Sequence, residues 1–316
     1  MTLFKCLLSV FLLAPVYTHL AFAADSNTPQ SSPATGTGGA TDTPKAFSYF
    51  AVGIESINYR ERISALGGTI ETDTTTENVV LLSGGRTFIN RTWSFSINAA
   101  STLYPNRTTE EWELTSAIDV PVDTTGDGNV DSTARFEPQR LQSNSFTYSQ
   151  SATQILAHYH PQLWWSIDGG MTYSLGTFKR FAFTAHSALA QDLGDTVVEE
   201  TFAELTIHGG GSIVVPIVDG FRFRLATQVG TPVVSRIENT RHPDLVFNST
   251  TGWQAELTSS LVYHFNENIN LGLVYDFQYQ FKEKQCLRDP ETDNTVYIPE
   301  NIRMSTRVGI IASWAF

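Results

Sequence analysis

Ile302-Arg-Met-Ser-Thr-Arg-Val-Gly-Ile-Ile-Ala-Ser-Trp-Ala-Phe316 is the stretch that decides how the chain is read. Taken in twos from its end, Phe316, Trp314, Ala312, Ile310, Val308, Thr306 and Met304 share one parity. Ala315, Ser313, Ile311, Gly309, Arg307, Ser305 and Arg303 share the other. Side chains of a strand alternate faces with period two, so one face is apolar and ends in aromatics while the other is small or charged. A strand with lipid on one side and a polar packed interior on the other has this composition.

Working outward, the opposite end begins Met-Thr-Leu-Phe-Lys5, followed by an apolar run from Leu7 to Val16 and then Ala21-Phe22-Ala23. A basic start, an apolar core and a small-x-small site predict a signal peptide over residues 1–23. Cys6 lies inside it and no Cys stands at the cleavage point, which argues against a lipoprotein. The mature chain keeps a single cysteine, Cys286, so no intrachain disulfide forms. Residues 24–45 are rich in Ser, Thr, Pro and Gly and have little to bury, which predicts a flexible periplasmic segment. No later stretch approaches the roughly 18 apolar residues of a membrane helix. Charged residues are only 16% and net charge is −12, which excludes nucleic acid as a partner.

From residue 46 to residue 316, about ten alternating segments of roughly 12 to 18 residues recur between turn signals. They are Phe47–Tyr59, Asn78–Ile89, Trp93–Tyr104, Asn144–Tyr159, Leu163–Thr177, Thr201–Ile217, Phe221–Ile237, Trp253–Phe265, Leu271–Lys284 and Ile302–Phe316. In the fourth, Phe146 and Tyr148 fall on the opposite parity to Ile155, Ala157 and Tyr159, and a β-bulge near Gln150–Ala152 is expected to reconcile them. Short connections near Asn90, His160, Asp219 and Glu267 alternate with long ones at Glu61–Glu77, Pro105–Gln142, Lys179–Glu200, Glu238–Gly252 and Cys286–Asn301. Aromatics gather at segment ends, as membrane-interface girdles require. The fold expected is all-β, an antiparallel up-and-down transmembrane β-barrel of about ten strands. A soluble β-sandwich is the alternative, but its strands are nearer five or six residues.

The terminal Phe with apolar residues at alternate positions before it resembles the C-terminal signature of Gram-negative outer-membrane β-barrel proteins. The resemblance implies an outer-membrane location with both termini periplasmic, and outer-membrane lipid around a monomer. It also implies that Trp314 and Phe316 form an assembly signal read by the barrel-assembly machinery.

With the apolar parity outward, Glu55, Arg86, Asp168, Glu204, His208, Arg224, Glu256, Asp276, Lys282 and Arg307 are expected to face the lumen. Arg222, Arg236, Arg303 and His264 are assigned the same side. Pairing Phe265 with Leu271 sets Glu256 opposite Gln280, with Lys282 on the diagonal. Inward charges either pair to fill a narrow lumen or line a passage for small solutes. Their mixed signs favour the filled lumen.

Asp123, Thr125, Asp127, Asn129 and Asp131, with Gly128 at the sixth position, follow the spacing of a Ca²⁺ loop. Over these nine residues the segment resembles the loops of EF-hand and dockerin-like proteins, which implies Ca²⁺ in the second outer loop as the one cofactor. Ala134 stands where that family has a bidentate acid, and an exposed Asp/Gly/Asn-rich turn is the other reading. His208-Gly-Gly-Gly211 copies an esterase oxyanion motif, but no Gly-x-Ser-x-Gly follows, and it is set aside. His158-Tyr-His160 has one-face spacing for a metal but is expected at a turn surface.

Ten strands and this length also resemble the omptin proteases. Glu110-Glu111-Trp112-Glu113 and Arg241-His242-Pro243-Asp244 lie in the second and fourth loops, without that family's Asp-x-Asp or Asp-x-His order. The expected function is therefore non-enzymatic: a porin-like narrow passage for small solutes or a scaffold presenting its loops. An omptin-like surface hydrolase is the alternative.

Overall fold

The computed structural model describes residues 46–315, apart from 66–67, 123–130, 191–192, 249, 267 and 289–294. The expected signal peptide and Ser/Thr/Pro/Gly-rich segment lie outside the described residues.

The strands are β1 (Phe47–Ala65), β2 (Gly68–Phe88), β3 (Trp93–Pro105), β4 (Thr108–Leu114), β5 (Ile118–Val122), β6 (Ser132–Phe136), β7 (Gln139–Gln162) and β8 (Trp165–Ala185). They continue as β9 (Val198–Val218), β10 (Phe221–Asn239), β11 (His242–Phe247), β12 (Gly252–His264), β13 (Ile269–Lys282), β14 (Gln285–Arg288), β15 (Thr295–Ile298) and β16 (Glu300–Ala315). Antiparallel pairing runs β1-β2-β3-β7-β8-β9-β10-β12-β13-β16, and β16 returns to β1 to close the ring. β4 continues β3 past Asn106 and Arg107 and sits between β2 and β7. β11 folds back on β10, while β5–β6 and β14–β15 are separate hairpins. The architecture is an antiparallel up-and-down barrel of ten staves.

Local chemistry explains the tight turns. Asn90 Oδ1 accepts the N–H groups of Thr92 at 2.7 Å and Trp93 at 2.8 Å. Asn266 Oδ1 does the same for Asn268 and Ile269, both at 2.9 Å. These Asx turns replace the hydrogen bonds that the chain loses on reversing. Gly220 adopts φ 83° in the turn between β9 and β10, a conformation that suits glycine.

The outward face carries an exposed apolar band: Phe50, Val52 and Ile54 on β1, Ile167, Met171, Tyr173 and Leu175 on β8, Leu271, Leu273 and Tyr275 on β13. Aromatic pairs edge it, Trp93–Tyr159 (5.1 Å) and Phe221–Tyr263 (4.8 Å) at the turn side and Trp253–Tyr279 (4.9 Å) at the loop side. Beyond the band, outward residues become ion pairs: Arg60–Asp73 at 2.6 Å and Lys179–Glu199 at 2.7 Å. Charged outward pairs mark where hydrocarbon ends. The staves therefore project past the membrane on the loop side. β7, at 24 residues, is about twice the 9 to 11 that a crossing needs.

Several expectations are corrected. Glu61–Glu77 is paired strand, because β1 and β2 hold register up to Ala65↔Gly68. Inward Thr72, Thr74 and Thr76 alternate there with outward Asp73, Thr75 and Glu77, a polar alternation that apolar patterning does not register. Pro105–Gln142 carries β4, β5 and β6, Glu238–Gly252 carries β11 and Cys286–Asn301 carries β14 and β15, while β8 and β9 extend into Lys179–Glu200 and pair there. β7 has no bulge at Gln150–Ala152; its register breaks lie at Ser143/Ser145 and Tyr159/Gln162, and Phe146 and Tyr148 point inward. Tyr263, not Phe265, pairs with Leu271, so Glu256 faces Gln278 and Gln254 faces Gln280. Arg236 points out to Glu238 at 2.5 Å. His158 is buried at 0% exposure rather than at a turn surface.

Candidate functional site

The lumen is filled in layers. Near the turns, His158 Nδ1 lies 2.7 Å from Asp168 Oδ1, and Ser96 Oγ lies 2.8 Å from His158 Nε2. Ser166 donates to the same carboxylate oxygen at 2.6 Å. Arg86 Nη2 reaches the His158 ring at 3.2 Å, and Ser94 Oγ is 2.8 Å from His160 Nε2. The order Ser96–His158–Asp168 is that of a nucleophile, base and orienting acid. Ser96 is only 5% exposed and His158 is fully enclosed, so the trio packs the interior.

In the middle layer, hydrogen bonds cross the lumen between staves that are not neighbours. Gln154 on β7 donates to Gln228 on β10 at 3.1 Å. Gln280 and Lys282 on β13 meet Glu204 on β9 at 2.8 and 2.6 Å. Arg303 on β16 donates to Gln150 on β7 at 2.8 Å and to the Tyr148 hydroxyl. Gln254 on β12 contacts His208 on β9 at 3.3 Å, and between the paired staves β1 and β16 Glu55 accepts from Ser305 at 2.6 Å and Arg307 at 2.8 Å. Asp276 is buried among them, and Glu256 and Arg224 are half-buried. An isolated buried charge is costly, so residues of this parity hold one another in place.

Above the membrane band an aromatic layer spans the interior. Tyr59, Phe146, Tyr148, Phe178 and Phe202 are each at most 7% exposed. Tyr59–Phe178 centroids are 4.5 Å apart, Tyr148–Phe178 4.7 Å and Phe178–Phe202 5.7 Å. Cations press on these rings: Lys282 on Phe202 at 4.9 Å, Arg303 on Tyr148 at 5.4 Å and Arg180 on Phe146 at 5.6 Å.

On this layer stands a cavity of about 380 Å³, open to the loop side. Its polar floor centres on Arg180, which binds Glu110 at 2.6 and 3.1 Å and Glu61 at 3.0 Å. Asn144 also donates to Glu110 at 2.8 Å. Burial alone would lower the Arg180 guanidinium, but the Glu110 and Glu61 carboxylates outweigh it and hold it well above its usual range. Glu200 shares the floor and accepts from Asn239 at 3.4 Å. Burial pushes its carboxyl up to about 7, and the nearby Glu61 charge adds to the shift. The walls are apolar: Phe183, Leu189, Leu193, Val198, Phe247 and Ile298. Ala182 at φ 54° breaks the alternation of β8, so Arg180 and Phe183 both face in.

Of the loop candidates, Glu110 is fully buried in its ion pair, while Glu111 meets Arg140 at 3.0 Å on the other side of β4. His242 lines the cavity and Asp244 is exposed, with no hydrogen bond joining them among the described residues. Asp123, Thr125, Asp127 and Asn129 lie outside the described residues. Asp131 donates its N–H to Val122 O at 3.1 Å where β5 and β6 approach the loop. Among the described residues, no three His, Cys, Asp or Glu gather as a metal site. Trp314 faces outward at 45% exposure, and Phe316 lies outside the described residues.

Sequence reasoning passed over Glu61, Arg180 and Glu200. Each shares the parity of a residue already assigned inward (Glu55, Asp168 and Glu204), so continuing the alternation beyond the apolar run finds all three.

No protein-family model and no curated protein matches the chain. Among solved structures, the outer membrane protease OmpT from Escherichia coli superposes with TM-score 0.57 at 9% identity, covering 88% of this chain and 98% of that one. The translocator domain of the autotransporter NalP from Neisseria meningitidis aligns over 87% of this chain and 90% of its own (TM-score 0.35, 7% identity). A FadL homologue from Pseudomonas aeruginosa covers 86% and 90% respectively (TM-score 0.33, 8% identity). At such identities the likeness is one of fold, and the fold of this chain is that of the Gram-negative outer-membrane β-barrel proteins.

Proposed function

We propose that this chain is a monomeric, non-conducting outer-membrane barrel that binds a small ligand in its loop-side mouth. Both termini stand in the periplasm in this reading, so the cavity opens to the outside. The aromatic layer from Tyr59 to Phe202 carries the proposal, because it sits across the interior directly beneath the cavity. About 380 Å³ lies within the range of small-molecule sites. Apolar walls over a hydrogen-bonding floor suit a ligand with an apolar body and one polar head. Ca²⁺ held by Asp123, Thr125, Asp127, Asn129 and Asp131 belongs to the same reading, in the segment that joins β5 to β6.

Refolded barrel in a planar bilayer is expected to show no steady conductance, with or without millimolar Ca²⁺. The neutral apolar probe N-phenyl-1-naphthylamine should bind it, and Leu193→Arg should weaken that binding at least tenfold. Steady conductance, or probe binding that ignores Leu193→Arg, would sink the reading.

A surface hydrolase is the second reading, favoured by one observation. Glu200, which holds a proton near neutral pH, lines the same cavity as His242. It requires that His242→Ala abolish cleavage of a peptide or lipid ester while leaving folding unchanged.

A further inference from the structure

The floor of the loop-side cavity holds one carboxyl that the barrel leaves nearly unused. Glu200 is 6% exposed, and its one hydrogen bond among the described residues is the long contact of 3.4 Å that Oε2 accepts from Asn239. Its other oxygen has no partner there, and the side chain lines the cavity.

The cations near Glu200 already have partners. Arg180 on β8 is held by Glu110 and Glu61. Beneath the floor, a small space joins Glu200 to Tyr59, to Lys282 on β13 and to Arg303 on β16. Tyr59 donates its hydroxyl to Glu61, and Lys282 meets Glu204 at 2.6 Å. Arg303 donates to Gln150 and to the Tyr148 hydroxyl. Glu61, Glu110 and Glu204 thus match Arg180, Lys282 and Arg303 in number. Arg241 and His242 also line the cavity, but Arg241 is exposed and water screens its charge. Ionised Glu200 is therefore one negative charge without a counterpart, and burial with Glu61 nearby keeps it protonated near neutral pH. A glutamine would accept from Asn239 equally well without that repulsion. What the carboxyl adds is a charge for an occupant of the cavity. A metal ion needs several oxygen ligands, whereas the lining above the floor is apolar.

We propose that the loop-side cavity binds a monocationic amine, with its ammonium on Glu200 and its apolar body against Phe183, Leu193, Val198 and Phe247. This names the head group of the ligand in the reading above and rests on that reading. An ammonium brings three N–H donors, enough for the unpartnered oxygen as well as Oε2, and a charge-assisted bond is stronger than a neutral one. Binding drives the Glu200 proton into solvent, so amine affinity rises with pH through about 7, while that of a neutral ligand does not. The amine itself stays charged up to about pH 10.

Three ligands with one phenethyl body test the head group: phenethylamine, 2-phenylethanol and 3-phenylpropanoate. Each is titrated calorimetrically into the full refolded chain in a non-ionic detergent. At pH 8 the amine should bind at least tenfold tighter than the alcohol, with the carboxylate weakest, and the advantage of the amine should shrink at pH 5.5. In Glu200→Gln the amine should fall to the affinity of the alcohol, whose own binding is unchanged. The parent barrel decides the matter by the ligand series if the variant does not fold. Alcohol or carboxylate binding as tight as the amine overturns the cationic head and leaves the cavity reading standing. An amine preference that survives Glu200→Gln overturns the part given to Glu200. If none of the three binds, the proposal falls, and N-phenyl-1-naphthylamine added to the same sample shows whether the cavity reading falls with it.

Discussion

Glu200 shows how one residue couples the barrel to pH. Its folded-state value of about 7 stands above the ordinary 4.5 because burial and Glu61 both oppose its charge. The folded barrel therefore holds a proton that the unfolded chain releases between those values. That contribution to stability is fully present below about pH 4.5 and is lost as pH rises through 7. At full strength it is worth about 3 kcal/mol. Urea midpoints of the parent barrel should fall between pH 5 and pH 8, and Glu200→Gln should flatten that fall. An unchanged pH profile in the variant would mean that Glu200 is charged throughout.

At the scale of the element, β7 passes through every layer of the interior. Its inward residues run His158, Gln154, Gln150, Tyr148, Phe146 and Asn144, from polar network through aromatic layer to cavity floor. Alternation alone carries this sequence of environments, because the inward parity never changes between Phe146 and His158. Phe146 is fully buried between Tyr59 and Phe178, with Arg180 over its ring. Truncating it leaves a cavity that rigid staves cannot close. Phe146→Ala is expected to destabilise the barrel by about 3–5 kcal/mol in urea denaturation. A loss below about 1 kcal/mol would show that the aromatic layer is loosely packed. The bulge expected in β7 failed for an instructive reason. An aromatic side chain on a stave marks the lipid-facing side only within the hydrocarbon; above it the apolar side is the inner one, where Phe146 and Tyr148 point.

For the whole molecule, closure is the decisive event. β1 and β16 lie at opposite ends of the chain yet pair from Phe47↔Ala315 to Arg62↔Glu300. At the centre of that seam Gly53 faces Gly309, and a Cβ on Gly53 would come 2.3 Å from Val308 O. Backbone cannot give way there without breaking the ladder. Gly53→Val should cost about 1–3 kcal/mol or more and lower the folded, heat-modifiable fraction on refolding. Normal folding of this variant would mean that the seam is wider than the pairing implies. An unclosed sheet exposes two long edges, so loss of the seam should also promote aggregation.

The sequence by itself determined the class of fold, the ten staves and the inward or outward side of most membrane-level residues. Period-two alternation is a local property, and lipid outside with polar groups inside writes it directly into the chain. Only the tertiary structure decided the rest. Cross-lumen partners such as Lys282 with Glu204 and Arg303 with Gln150 depend on which staves curl to face each other. The two-residue difference in the β12–β13 register, with Tyr263 rather than Phe265 on Leu271, redistributes every pair in that hairpin without altering its alternation. The cavity required β1, β4, β8, β9 and β10 to bring Glu61, Glu110, Arg180, Glu200 and Asn239 to one floor from distant points of the chain. No linear pattern encodes that meeting, because it is set by stave tilt and ring closure rather than by sequence spacing.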